Sequence, residues 1–275
     1  MLHISLKNAF SDVFMHILSK NFYIYFNINQ LKHKAMPSTS EVGHAKNVAN
    51  LQKLTEQVTV YTLYNPPVEN LTVPNLTALY STASVKLTEV EDKRNANKNS
   101  IALRQDAFAD LKSKCTKIIN HLEILGLPQG TIDQAKSLNR LIQGKSLKTT
   151  APPDENGQPT PTISTSRQSY TQMADNFGIL LQLLATITNY NPNEDDLKLA
   201  NLTTYHASLM SSTQAVDQTE AQLNAKLIER DQILYADGTG LYSIAQNVKK
   251  YVKSLYGATS PEYTTVSAIK FTSPI

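Results

Sequence analysis

Tyr64-Asn65-Pro66, followed nine residues later by Asn75-Leu76-Thr77, is written a second time as Tyr190-Asn191-Pro192 and Asn201-Leu202-Thr203. Ser38-Thr39-Ser40 recurs as Ser164-Thr165-Ser166 and Arg104 as Arg230, all at the same ungapped offset of 126. Roughly 15 of about 67 aligned positions are identical, several times what unrelated sequences give, so the chain reads as one module used twice. The expected organisation is an N-terminal extension over 1–35, a first helical repeat over 36–143, a Pro/Thr-rich linker over 144–163 and a second repeat over 164–275. Each repeat, at about 105 residues, is long enough to bury a core of its own.

Working outward from Tyr-Asn-Pro, the preceding segment in each copy carries apolar residues at helical spacing. In the first copy Val48, Leu51, Leu54, Val58 and Tyr61 predict a helix from Val42 to about Leu63. In the second copy Met173, Phe177, Leu180, Leu181, Leu184 and Ile187 predict one over Tyr170 to Thr188. Asn191, Pro192 and Glu194 have the types and spacing of a helix start, with Asn as cap and Glu in the first turn.

The next element is the longest. Leu76, Tyr80, Ala83, Leu87 and Val90, continued by Arg94, Asn97, Ile101, Arg104, Phe108 and Leu111, step by alternating fours and threes, and Leu202 to Leu234 do the same. This heptad seam is what a long antiparallel bundle or coiled coil requires. Leu87 and Val216 are expected on its buried stripe. Its middle is polar, with Arg94, Asn97 and Arg104 in one copy and Thr213, Glu220 and Arg230 in the other, and is expected to be solvated. A third helix follows, with Leu111, Cys115, Ile118, Leu122 and Leu125 matched by Leu241, Ala245, Val248, Val252 and Leu255 at an offset now of about 130. The extra turn falls at Ala236-Asp237-Gly238-Thr239-Gly240. The first copy has no such break near Ala107–Asp110, so its long helix and third helix are expected to run on. Gly126 and Gly257 end the third helices, and a short last helix opens at Pro128–Thr131 and at Ser260-Pro261-Glu262. The fold class is therefore all-α, as two tandem homologous helical-bundle or coiled-coil repeats, each with a long central helix.

Composition narrows the function. The chain is 41% hydrophobic and 18% charged, ordinary values for a globular protein. Its net charge of +3 matches the excess in residues 1–36, where Lys7, Lys20, Lys32 and Lys34 oppose Asp12. The repeats carry small charges of opposite sign, so the folded part has no basic stripe and nucleic acid is not an expected partner. Residues 1–35 also hold Phe10, Phe14, Phe22 and Phe26 without resembling a secretion signal; Met36 is the expected true start, and the segment before it an artefact of an upstream start codon. An amphipathic membrane-surface helix over 4–19 is the other reading. The linker, with Pro152, Pro153, Pro159 and Pro161, is expected to be extended and mobile.

No motif carries chemistry. His3, His16, His33, His44, His121 and His206 never pair at metal-ligand spacing, and there is no Cys-x-x-Cys, Walker loop or nucleophile elbow. His44 aligns with Tyr170 and His206 with Tyr80, which marks both as packing positions. Cys115, the single cysteine, sits at an apolar helical position and reads as a buried, inert thiol. Lys249, Lys250 and Lys253 read as charges that complement a helix C-terminus. No catalytic, cofactor-binding or metal-binding residue is named.

The phrases Tyr190-Asn191-Pro192-Asn193-Glu194 and Tyr251-Val252-Lys253-Ser254-Leu255-Tyr256-Gly257-Ala258-Thr259-Ser260-Pro261-Glu262-Tyr263 resemble those of uncharacterised, duplicated all-helical proteins of Bacteroidota. The resemblance covers about residues 36–275. It implies a duplicated helical fold and brings no activity, cofactor or site with it.

The expected function is a non-enzymatic helical scaffold or protein-interaction module in the cytoplasm, with a protein partner or self-association and no cofactor. The alternative is a membrane-active helical-bundle protein, pore-former-like or an accessory subunit. Its only candidate segment is Phe177–Ile187, about 11 residues interrupted by Gln182 and well short of a membrane span.

Overall fold

A computed structural model describes residues 41–144 and 169–272. The extension over 1–35 and linker residues 145–163 lie outside the described residues. Among those described there are helices and no strand. In chain order they are α1 (Glu41–Thr59), α2 (Val73–Phe108), α3 (Leu111–Glu123), α4 (Gln129–Gln143), α5 (Tyr170–Ala185), α6 (Leu199–Tyr235), α7 (Leu241–Tyr256) and α8 (Pro261–Ala268). Short 3-10 turns at Glu69–Leu71 and Asp195–Leu197 precede the two long helices.

The repeated residues build the same corner twice. The Tyr64 hydroxyl donates to the Leu71 carbonyl at 2.7 Å, and the Tyr190 hydroxyl to that of Leu197 at 2.8 Å. The Asn75 amide donates to the Glu69 carbonyl at 2.7 Å, and Asn201 to that of Asp195 at 2.6 Å. Pro66 and Pro192 are both buried. The 3-10 turn thus has its carbonyls satisfied by side chains, and the long helix starts two residues after it. The expected cap at Asn191 is corrected: α6 begins at Leu199, and Asn201, not Asn191, supplies the polar bond at that corner.

The first copy also breaks where continuity was expected. α2 ends at Phe108 and α3 starts at Leu111. The Tyr205 hydroxyl takes the Ala107 carbonyl at 2.8 Å, satisfying a group the ended helix leaves open. Leu111 is then turned into the core at 1% exposure. In the second copy a side chain at Gly240 would come within 2.5 Å of the Ala236 backbone nitrogen, so only glycine fits that turn.

The compact units do not follow the repeats. One takes the residues up to Leu87 together with those from Arg230; the other is Thr88–Glu229. In the first, Leu51 and Leu54 of α1 and Leu76 of α2 share a core with Leu234 of α6, Ile244 and Val248 of α7, and Val266 of α8. In the second, Leu111, Ile118 and Leu122 of α3 and Ile142 of α4 share one with Phe177 and Leu180 of α5 and Leu202 and Leu209 of α6. Neither core is drawn from 36–143 or from 164–275 alone. In the first unit α7 covers α1, and in the second α3 and α4 cover α5.

Within the second unit α2 and α6 run antiparallel. Glu89 meets Lys226 at 3.1 Å, Lys93 meets Gln222 at 3.0 Å and Asn97 meets Thr219 at 3.0 Å, so one residue number rises as the other falls. Val216 is buried as expected, whereas Leu87, in the first unit, is only half-buried against that unit's core. Arg94 pairs with Glu91 at 2.6 Å on a half-exposed face. Arg230 departs from the expected solvated middle: it is 5% exposed and its guanidinium holds Asp231 at 2.7 Å. Of Phe177–Ile187, the apolar run considered for a membrane, Phe177, Leu180, Leu181 and Leu184 are buried in the second unit's core, while Ile179 is 45% exposed. No helix among the described residues is long and apolar enough to cross a membrane.

Candidate functional site

The first unit buries a group of polar side chains on one face of α1. His44 is 2% exposed, Asn47 0% and Asn50 8%. They share the face with Val48 and Leu51, positions where an amphipathic helix ordinarily carries apolar residues. The Asn47 amide nitrogen donates to the Thr272 carbonyl at 2.9 Å, and its amide oxygen accepts from the Thr272 N–H at 2.8 Å. One side chain thus makes both bonds that a neighbouring β-strand would make to that residue. Asn50, one turn along α1, donates to the Lys270 carbonyl at 2.6 Å. From α7 the Lys249 ammonium donates to the Ile269 carbonyl and lies 5.0 Å from the centre of the Phe271 ring.

These bonds hold residues 269–272, the segment that follows α8, as a strap. Ile269 and Phe271 are half-buried against the core, while Lys270 and Thr272 are exposed. That alternation is the period of an extended chain with one face down. Beneath it, His44 Nδ1 lies 2.8 Å from the Tyr235 hydroxyl, which also accepts from Asn47 at 3.3 Å. Burial lowers the Lys249 pKa, and the neighbouring Lys270 charge lowers it further. Beside the strap an open depression of about 390 Å3 runs along α1, lined by Gln52, Lys53, Glu56, Gln57, Thr265 and Ile269.

The second unit lacks this arrangement at the matching positions. Asn47 aligns with Met173 and Lys249 with Ile119, both buried, and Asn50 with half-buried Asn176. There the closing element is α4, which at 15 residues is nearly twice the length of α8 and buries Ile132, Ala135, Leu138 and Ile142. Of the residues singled out by sequence, His206 packs against Phe177 and donates from Nε2 to the Ala174 carbonyl at 3.1 Å, as a packing histidine does. His121 stacks edge-on against Tyr190 with ring centres 5.4 Å apart. Cys115 is fully buried, and burial pushes its thiol up to about 12. Arg104 lies 4.3 Å from the Tyr170 ring centre and its buried Nε has no hydrogen-bond partner; the Asp231 that pairs its counterpart Arg230 is replaced by Gln105.

Asn47 and Asn50 were not singled out from sequence, and Lys249 was read only as a charge complementing a helix C-terminus, whereas it holds the Ile269 carbonyl. The available signal was an asparagine on the apolar face of a helix, at a position where the other copy has methionine. Among the described residues no group of His, Cys, Asp and Glu is placed to hold a metal ion. Comparison of the chain with family models, curated proteins and solved structures gives no match.

Proposed function

We propose that the chain is a non-enzymatic helical scaffold that serves as a protein-interaction module in the cytoplasm. Its architecture in this reading is two copies of one helical module, interleaved so that each compact unit draws on both, with the long helices paired as a short antiparallel coiled coil. The resemblance to duplicated helical proteins of Bacteroidota is part of the same proposal.

The observation that carries the function is a difference between the two corners. In the first unit the corner loop exposes Val60 at 71%, Leu63 at 59% and Val68 at 51%. The matching residues of the other corner are Thr186, Asn189 and Glu194, all exposed. Both corners make the same tyrosine and asparagine bonds, so the fold of the corner does not need those apolar side chains. Exposed apolar residues that the fold does not need fit a surface meant for a protein partner.

The membrane-active alternative has less support, because its one apolar stretch is spent in the second unit's core. The test transplants one corner onto the other. A chain carrying Val60→Thr, Leu63→Asn and Val68→Glu should fold as the parent does and lose a partner that the parent captures from native lysate and rebinds in purified form. Retained binding by the transplant, or turnover of a substrate with no partner, would overturn the reading.

A further inference from the structure

The strap and the face beneath it have the parts of a peptide-binding groove that is closed from within. Asn47 and Asn50 read only main-chain atoms of residues 269–272, so they set no requirement on the side chains there, while Lys249 reads the Ile269 carbonyl and lies over the Phe271 ring. Side-chain selection falls to Ile269 and Phe271, which pack downward, while Lys270 and Thr272 face solvent. Main-chain bonds for affinity with alternate side chains for specificity is how an extended peptide is recognised along a sheet edge. Here two asparagines on a helix and one lysine take the place of the edge.

We propose that this groove binds an extended peptide of a partner protein carrying an aliphatic and an aromatic residue two positions apart, and that the strap 269–272 is its intramolecular competitor. The proposal deepens the reading of the chain as an interaction module by naming the class of partner, and it uses a surface distinct from the corner loop. Three observations favour a replaceable strap over a fixed core element. The strap is thin, with two of its four side chains half-buried and the other two exposed. The polar groups under it would meet water on its release, so opening leaves no donor or acceptor stranded. The second unit, closed by a 15-residue helix over Met173, shows that the same face can be sealed with apolar residues and no main-chain readers.

The test uses the full chain with the strap loosened by Ile269→Ala and Phe271→Ala, and a fluorescent peptide of residues 267–272 followed by anisotropy. The intact chain should bind the peptide weakly, because the tethered strap competes at an effective concentration in the millimolar range. The loosened chain should bind it at least about tenfold tighter. Adding Asn47→Met, the residue of the other copy, should abolish that gain, as should Phe271→Ala in the peptide. A loosened chain that stays helical and binds no better than the parent would overturn the proposal. So would dimers of the intact chain that disappear on loosening, since the groove would then belong to the strap of a second copy. If the loosened chain unfolds, hydrogen exchange on the intact chain decides. A Thr272 amide that exchanges well before the amides of α7 supports a strap that opens. Exchange of both in one global event makes the strap part of the core and rejects the groove. Failure here alongside loss of the partner in the corner transplant would leave the interaction-module reading standing.

Discussion

The tyrosine of Tyr-Asn-Pro shows how a single hydroxyl can fix a corner. In Tyr190 it bonds the Leu197 carbonyl at 2.8 Å, and burial, with Asp196 and Glu194 adding to it, pushes its pKa from 10.0 up to about 12. Tyr190→Phe leaves that carbonyl without its protein partner and should lower stability by about 1–3 kcal/mol, read by chemical denaturation. The sign of the pH effect follows from the raised value. The folded chain keeps the proton longer than the unfolded chain, so this contribution is complete below pH 10 and is lost as pH rises toward 12. Alkaline titration of stability should therefore fall less steeply in Tyr190→Phe than in the parent. Cys115 gives a second check. Its thiol is buried and held up to about 12, so alkylation at neutral pH should proceed only as fast as the second unit opens. Prompt labelling of the native chain would contradict that burial. Both residues were legible in part: the tyrosine because it is repeated, the cysteine because it falls on an apolar stripe. What each tyrosine bonds was not legible, because the acceptor is a main-chain carbonyl seven residues away, which no side-chain pattern marks.

At the scale of the element, the long helices carry a heptad pattern whose positions are not equivalent. Leu209 is 0% exposed in the second unit's core, whereas Arg94 holds Glu91 on a half-exposed face. Leu209→Ala should cost about 2–5 kcal/mol. Arg94→Ala should cost under about 1 kcal/mol, since a partly exposed ion pair within one helix contributes little. Comparable losses at both would place Arg94 in a buried network. Leu87, expected on the buried stripe of the seam, is half-buried and should fall between the two. The period of the pattern predicts that a helix forms and which side of it is apolar; it carries no information on how much neighbouring structure covers a given turn. That is why the existence of α1, α2, α5, α6 and α7 followed from sequence, while the corner before α6 and the break before α3 did not. At both places a bond from a distant or main-chain group overrides the local signal.

For the whole molecule, the recurring residues mark the sequence and not the packing, because each core draws on both halves of the chain. An apolar stripe does not name its partner, so which helix covers α1 or α5 was not legible in the pattern. A specific protease site inserted between Glu155 and Asn156 should therefore give two pieces that stay together on gel filtration and keep the parent's circular dichroism. The same pieces expressed separately should each be largely unfolded, because each holds half of two cores. Independent folding of either piece would refute this. The division at Leu87 and Arg230 also imposes an order on synthesis. The second unit, Thr88–Glu229, is one continuous stretch and can close as soon as it clears the ribosome. Residues 41–87 emerge before it yet must wait for everything after Arg230. At about 5–20 residues per second that wait is on the order of 10 s. For that time Leu51, Leu54 and Leu76 stand without the helices that cover them, so a stretch made before the second unit is sheltered after it, and the burden on chaperones falls on α1 and the start of α2.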